Sequence, residues 1–201
     1  MVLSLWLNLG TGLAAPLTVA SPSPSASSVV EHFYGKLLAT MKQGETLGFE
    51  GRVHALTPVV TRAFDMPLMA RLSAGPAWAT KSDGERTELI KVFTTWTVAT
   101  YADRFPRFTG EAFEVLTEKP LPSGGVMVET RLHPAGAPSV ALNYLVRVGP
   151  DGTPRIADVF LENTVSELAT RRAEFTAVIA QNGWDSLVAL LDEKTRKMKG
   201  A

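Results

Sequence analysis

The sequence predicts an α+β domain with a four-stranded, mainly antiparallel sheet. Two observations lead to this class. Apolar residues recur at helical spacing as far as Pro106 and again after Glu162, whereas between these positions they alternate with a period of two. Helices on both sides of one uninterrupted run of strands are typical of an α+β domain.

The first helix is predicted from an apolar face with four-residue spacing, formed by Val29, Phe33, Leu37 and Met41. Gly44 ends this pattern. Two further helices are expected over residues 51–63 and 65–73, and Gly75 followed by Pro76 stops the second of them.

A capping box predicts the start of the longest helix. Ser82 is followed three residues later by Glu85, the spacing at which each side chain can bond the other residue's backbone N–H. This helix is expected to end near Phe105–Pro106. Two closing helices are expected over residues 162–181 and 184–197, with a break at Asn182–Gly183.

Four strands are expected at residues 113–116, 126–132, 140–148 and 155–161. In the second and third strands every other residue is apolar, and the Gly/Pro-rich turn at residues 149–152 precedes the fourth. Period-two segments joined by such turns are the signature of an antiparallel sheet.

Residues 1–20 are predicted to be a cleaved signal peptide, which implies export to a bacterial periplasm. The segment 2–20 has no charged residue, but its polar and glycine positions make it a poor match to the roughly 20 predominantly apolar residues of a spanning helix. Small residues at Thr18 and Ala20 favour cleavage after Ala20. No Lys or Arg stands directly after Met1, so the positive flank usual in a signal peptide is missing. An uncleaved anchor and a buried helix are the alternatives.

The remainder divides into a tether and one domain. Residues 21–28 consist mainly of Ser and Pro, which is typical of a flexible linker. Residues 29–199 are predicted to form a single folded domain, because a chain of this length can bury a substantial core.

Composition excludes several function classes. Lys plus Arg equals Asp plus Glu at 20 each, so no basic surface points to nucleic acid. The absence of cysteine excludes disulfides, thiolate metal sites and cysteine nucleophiles. His32, His54 and His133 lie far apart and lack metal-ligand spacing. We therefore expect no metal, cofactor or catalytic residue, although distant residues could still assemble an active site.

An excess of large apolar residues is the most informative feature. They could fill an ordinary core, or they could line an apolar cavity whose methionines provide an adaptable wall. Periodicity alone does not distinguish these two possibilities.

The segment FDMPLMARLSAGPAW, residues 64–78, resembles the Phe-Asp, Met, Gly and Trp landmarks of MlaC-type proteins, the toluene-tolerance auxiliary family. The likeness continues through residues 143–175 and the closing segment GWDSLVALL. SELATRRAEF, residues 166–175, is most similar to the hopanoid-associated branch, called HpnM. Pro154 stands where the family commonly has Trp, and residues 163–166 differ from its usual Gly-Val-Ser, so the lipid class stays open.

The resemblance implies a soluble periplasmic carrier without enzymatic activity. Its curved sheet, enclosed by about six to seven helices, would hold the acyl chains of a phospholipid or a hopanoid-type lipid in an apolar cavity, with the head group in water. Implied partners are an inner-membrane ABC lipid-transport complex and an outer-membrane lipoprotein complex; a monomer is expected. The alternatives are a periplasmic enzyme acting on an apolar substrate and a non-catalytic structural module.

Apolar periodicity together with the family landmarks selects the predicted lipid-binding residues. They are Phe64, Met69, Leu72, Trp78, Phe93, Trp96 and Tyr101 from the helices and Leu142, Tyr144, Val146, Val159 and Leu161 from the sheet.

Arg171 and Arg172 occupy successive helical positions about 100° apart, so they cannot face the same surface. The family spacing to Phe175 suggests that Arg172 is structural and that Arg171 is the freer side chain, available to a lipid phosphate or an acidic partner. Two solvated arginines are the alternative.

Overall fold

The computed structural model describes residues 24–200. The predicted signal peptide and residues 21–23 of the predicted tether lie outside this range, and both remain predictions. Within the described range, no helix combines the length and apolar character that crossing a bilayer requires.

The first helix, α1, spans Ala26–Lys42 and begins earlier than expected. The Ser25 hydroxyl accepts a hydrogen bond from the Ser28 N–H at 3.1 Å, which caps the helix. Residues 26–28, predicted to belong to the tether, therefore form the first turn of α1. Serine suits an N-cap as well as a linker, and composition alone did not separate the two roles.

The second helix, α2, spans Gly44–Ala63, with a kink at Gly48, where φ is 59°. Its predicted start, residue 51, missed the turns before the kink. Arg52 links the start of this helix to the Ala102 backbone, because its guanidinium donates to the carbonyls of Gly44 at 3.0 Å and Ala102 at 2.9 Å. A side chain at Gly44 would collide with the Pro106 carbonyl, 2.0 Å from the ideal Cβ position.

The next elements are α3, Met66–Ala74, a 3₁₀-helix at Gly75–Thr80, and α4, Asp83–Arg104. The capping box of α4 is confirmed: the Glu85 N–H donates to the Ser82 hydroxyl, and the Glu85 carboxylate accepts from the Ser82 N–H at 2.8 Å. The 3₁₀-helix was not predicted.

The sheet is antiparallel throughout and open, and its strands follow one another in chain order. It has five strands, not the four predicted. They are β1 Ala112–Pro120, β2 Val126–His133, β3 Val140–Val148, β4 Pro154–Leu161 and β5 Val165–Ser166.

The additional strand, β5, lies in a segment that was predicted to be helical. Glu162 and Asn163 both have positive φ, 49° and 63°, and so turn the chain back along β4 instead of starting a helix. Helix α5 therefore begins later, at Glu167–Asn182, with Ser166 as its N-cap. Gly183 separates it from α6, Trp184–Lys199.

Within residues 24–200, six α-helices and the sheet form the predicted α+β fold. Helix α1 packs on β1 to β4, while α4 contacts α2, α3 and α6, and α5 contacts β4 and α3. Phe33 lies at the centre, fully buried, with ring-centroid distances of 5.1 Å to Phe64 and 5.2 Å to Tyr101. This aromatic cluster joins α1, α2 and α4 beside the sheet.

Candidate ligand-binding cavity

A cavity of about 220 Å³ lies between the sheet and the helices. Most of its lining side chains are apolar. The residues that line it are Leu37, Phe64, Met69, Thr97, Thr100, Tyr101, Arg104, Phe105, Phe113, Leu132, Val140, Leu142, Tyr144, Val159, Leu161, Glu167 and Arg171.

The sheet wall follows directly from strand register. Val140, Leu142 and Tyr144 alternate along β3 and therefore point to one face. Leu142 is paired with Leu161, and Tyr144 with Val159, so β4 contributes to the same face. Leu132 pairs with Val140 and Phe113 with Leu132, which extends the apolar surface to β1.

The helix wall comes mainly from the last turns of α4. Thr97, Tyr101 and Arg104 recur at spacings of four and three residues, which places them on one side of the helix. Phe64, at the end of α2, and Met69, in α3, complete this wall, and both are buried.

Seven of the predicted lipid-binding residues meet at this cavity: Phe64, Met69, Tyr101, Leu142, Tyr144, Val159 and Leu161. Their contact with a lipid stays a prediction.

Two predicted wall residues on α4 pack elsewhere. Phe93 and Trp96 contact Phe175 of α5, with ring-centroid distances of 6.3 Å and 5.9 Å. They lie before the last turns of α4, so they fill the α4–α5 interface instead of the cavity. The sequence correctly predicts that both residues lie on an apolar face of the helix, but periodicity does not specify which neighbouring element that face contacts.

Three more predicted wall residues do not line the cavity. Trp78 belongs to the unpredicted 3₁₀-helix and packs against Trp184 of α6, 6.3 Å away. Leu72, in α3, is half-buried, and Val146, in β3, is buried in the core beyond Tyr144. A strand face continues past the end of a cavity, and alternation does not mark where that end lies.

Sequence reasoning also missed the polar lining residues Thr97, Thr100, Arg104 and Glu167. A signal was available for Thr97 and Arg104, since they share the helical face of Tyr101. Glu167 could not be predicted as a lining residue, because its position depends on α5 beginning at that residue.

Arg171 occupies the edge of the cavity, and it is the more constrained arginine of its pair. Its guanidinium lies 4.2 Å from the Trp96 ring centroid and 3.4 Å from the Glu167 carboxylate, and its side chain is 14% exposed. Burial lowers the pKa of Arg171, an effect that Glu167 opposes. Arg172 is exposed. The expectation that Arg171 is the freer of the two is therefore wrong, because α5 turns Arg171 toward α4.

Three tyrosines, Tyr34, Tyr101 and Tyr144, pack around Phe33, and the last two also line the cavity. Burial raises the pKa of Tyr34 to about 12, partly offset by its 2.6 Å hydrogen bond with Thr130. Burial also raises the pKa of Tyr101 and that of Tyr144. The folded protein therefore favours the neutral phenols.

We expect the native protein to resist tyrosine ionisation. Its only tyrosines are these three, so tyrosinate absorbance should stay low through pH 10 in the folded protein and titrate near pH 10 in denaturant. Because the pKa values of these tyrosines are raised in the folded state, their contribution to the free energy of unfolding is fully present below about pH 10. That contribution is lost as the pH rises through about 12. A native titration centred near pH 10 would contradict the burial of this cluster.

The cavity offers apolar contact and a few polar groups at one side. Among residues 24–200, no group of three or more His, Asp or Glu side chains is arranged to hold a metal ion. The fold and the cavity together define an α+β protein that can enclose an apolar ligand between its sheet and its helices.

The chain belongs to the MlaC family. The family model described as MlaC protein matches residues 31–193, from α1 into α6. No curated protein matches the sequence.

A solved structure shares this fold. It is the phospholipid-binding protein from Ralstonia solanacearum in complex with a phospholipid, with a TM-score of 0.76 and 19% sequence identity. The match covers 87% of this chain and 99% of that chain, so the likeness extends over the whole of the related protein.

Proposed function

We propose that this protein is a non-catalytic lipid carrier that holds acyl chains in the cavity between its sheet and helices. The observation that carries the proposal is the cavity itself: apolar side chains from four strands and four helices converge on it, and its charged lining residues all come from α4 and α5. Family membership and the phospholipid held by the Ralstonia protein support the same conclusion.

The physical need for such a carrier is large. A lipid with two long chains carries on the order of 30 methylenes, and exposing each to water costs about 0.8 kcal/mol. Even half of that total, roughly 12 kcal/mol, makes unassisted transfer through water negligibly slow, since each 1.4 kcal/mol is a factor of ten. A protein cavity that replaces the bilayer around the chains lowers this barrier without a chemical step.

The cavity must widen to hold a complete lipid. Its volume of about 220 Å³ lies below the roughly 300–1,000 Å³ of ordinary ligand pockets. Met69 lines the wall, and its unbranched thioether side chain adapts readily to a new shape. We propose that the helices carrying Met69 and Tyr101 move away from the sheet as acyl chains enter.

The proposed setting is the periplasm, reached through removal of the signal peptide at residues 1–20. There the protein, as a monomer, would exchange lipid with an inner-membrane ABC lipid-transport complex and an outer-membrane lipoprotein complex. The cargo would be a phospholipid or a hopanoid-related lipid; the similarity of residues 166–175 to the HpnM branch is the argument for the second.

A vesicle-transfer assay tests this function. Purified protein is added to donor vesicles that contain a radiolabelled phospholipid, unlabelled acceptor vesicles are supplied, and the two populations are separated at intervals. A carrier accelerates transfer in proportion to its concentration and returns the lipid chemically intact by mass spectrometry. No acceleration would contradict the proposal, and a cleaved or modified lipid would favour a periplasmic enzyme acting on an apolar substrate.

A further inference from the structure

We propose that the protein docks on a lipid bilayer with the end of its sheet at which the cavity opens, so that acyl chains pass between bilayer and cavity without entering water. This inference rests on the proposed carrier function and adds the surface through which lipid is exchanged. The docking end consists of the α4–β1 loop at residues 105–111, the β2–β3 loop at residues 134–139 and the β4–β5 turn at residues 162–164.

Strand register places these three segments at one end of the sheet. Ala112, the first residue of β1, is paired with His133, the last residue of β2. Leu161, the last residue of β4, is paired with Leu142 near the start of β3 and with Val165 at the start of β5. The loop that precedes β1, the loop that joins β2 to β3 and the turn that joins β4 to β5 therefore lie side by side.

The cavity opens at the docking end, as the burial of its lining shows. Along β4, Val159 is 9% exposed and Leu161, nearer the docking end, is 37% exposed. Along β3, Tyr144 is buried, whereas Leu142 and Val140 are half-buried. The lining residues of α4 likewise become more exposed toward its C-terminal end. All three elements thus place the mouth of the cavity at the same end of the sheet.

Exposed apolar side chains concentrate at the docking end. Among residues 24–200, five large apolar side chains are exposed, and three of them lie here: Phe108 at 41%, Leu161 at 37% and Val165 at 48%. The β2–β3 loop, PAGAPS, contains no charged residue. Single exposed apolar residues are common, but their concentration around one opening indicates a contact surface.

Two apolar paths connect these exposed side chains with the cavity. On one side, Leu161 lines the cavity, and Val165 is its cross-strand neighbour on the same face of the sheet. On the other side, Phe105 and Phe113 line the cavity with ring centroids 5.9 Å apart, and Phe108 lies in the loop between them. A surface that covers this end must offer acyl chains to both paths, and a bilayer does so.

The backbone holds Phe108 in its exposed position. Its N–H donates to the Met41 carbonyl, near the end of α1, at 3.0 Å. The ring is therefore presented by a loop that is bonded to a helix. A contact surface that is already formed loses little conformational entropy on docking.

Basic side chains beside Phe108 favour a bilayer with an anionic surface. The Lys42 ammonium lies 5.5 Å from the Phe108 ring centroid, and Arg107 is exposed. Within residues 24–200, neither cation forms a salt bridge. The carboxylate of Glu111, the acid of this loop, accepts from the Thr109 N–H at 2.7 Å and hydroxyl at 2.6 Å. An apolar ring flanked by Lys and Arg suits the membrane interface, where the ring enters the acyl boundary and the cations meet anionic head groups.

Site-specific fluorescent labels test this contact. Because the chain contains no cysteine, Ala137→Cys in the β2–β3 loop and Ser123→Cys in the β1–β2 loop each create a single labelling site. Both residues are exposed, and the two loops lie at opposite ends of the sheet. Each variant is labelled with the fluorophore NBD, saturated with unlabelled lipid and mixed with phosphatidylethanolamine–phosphatidylglycerol vesicles. We expect the emission to intensify and shift to the blue at position 137 and to stay unchanged at position 123.

Phe108→Ser tests the role of the docking end in binding and transfer, with Val148→Ser as the matched control. Val148 is 69% exposed and lies at the end of β3, at the opposite end of the sheet. We expect Phe108→Ser to co-sediment with the same vesicles about fivefold more weakly, because one ring no longer enters an apolar phase. Lipid transfer between vesicles should slow by a similar factor. Val148→Ser should bind and transfer as the natural protein does.

Equal emission changes at positions 137 and 123, or unchanged vesicle binding by Phe108→Ser, would overturn the proposed docking end. An equal loss of binding in Val148→Ser would also overturn it, since the contact would then not be confined to one end of the sheet. The labels report bilayer contact independently of lipid transfer. Normal transfer without this contact would overturn the docking end and leave the carrier function intact, whereas contact without transfer would contradict the carrier function alone.

Discussion

Replacing Leu142 with tryptophan is expected to abolish lipid retention while the fold is preserved. Leu142 is half-buried in β3, lines the cavity and faces the same interior as its partner Leu161. An indole at this position would extend into the cavity and fill much of its 220 Å³. Overpacking typically costs about 1–3 kcal/mol, and we expect the lower end because space is available.

Val148→Trp is the control for this variant. Val148 lies on the same strand at the same alternation as Leu142, but it is 69% exposed and does not line the cavity. Both variants should melt cooperatively near the temperature of the natural protein. Lipid extracted per mole of protein should fall to background in Leu142→Trp only. Retention of normal lipid by Leu142→Trp would show that the acyl chains lie elsewhere.

Truncating Phe33 to alanine is expected to lower the free energy of unfolding by about 3–5 kcal/mol. Phe33 is 0% exposed, and its ring contacts those of Phe64, Tyr101 and Tyr144. It does not line the cavity, but all three neighbours do. The truncation should therefore remove packing that the sheet wall and the helix wall of the cavity share. Urea unfolding measures the resulting loss in the free energy of unfolding.

Phe105→Ala is the matched comparison. Phe105 follows the last residue of α4, is half-buried and borders the cavity. A side chain on a cavity wall has fewer protein neighbours than one in a filled core, so its truncation should cost clearly less than that of Phe33. Equal losses would mean that the region beside Phe105 is as closely packed as the core around Phe33, which would contradict the presence of a cavity.

Features determined within a few residues of sequence could be predicted well. The capping box fixes the start of α4, since Ser82 and Glu85 satisfy each other's backbone without help from distant residues. Strand β3 was predicted with its observed ends because its alternation is local. The family likeness then indicated that sheet and helices face an apolar interior, which periodicity could not.

Features that depend on distant partners were less predictable. Strand β5 exists because two residues pair with β4 after the turn at Glu162 and Asn163, and two residues are too few to show a period. Trp96 was placed in the cavity wall, yet it packs against Phe175 and Arg171. The position of a side chain on its own helix follows from sequence, but the identity of the helix opposite it depends on tertiary packing.

The most direct test of the central claim is the mass of the protein as purified. The mature chain should be recovered from the periplasm of cells grown without added lipid, transferred gently into the gas phase and weighed by native mass spectrometry. We predict one additional mass corresponding to a single bound lipid, released intact on activation. Recovery of the bare polypeptide mass alone, with no lipid extractable into organic solvent, would contradict it.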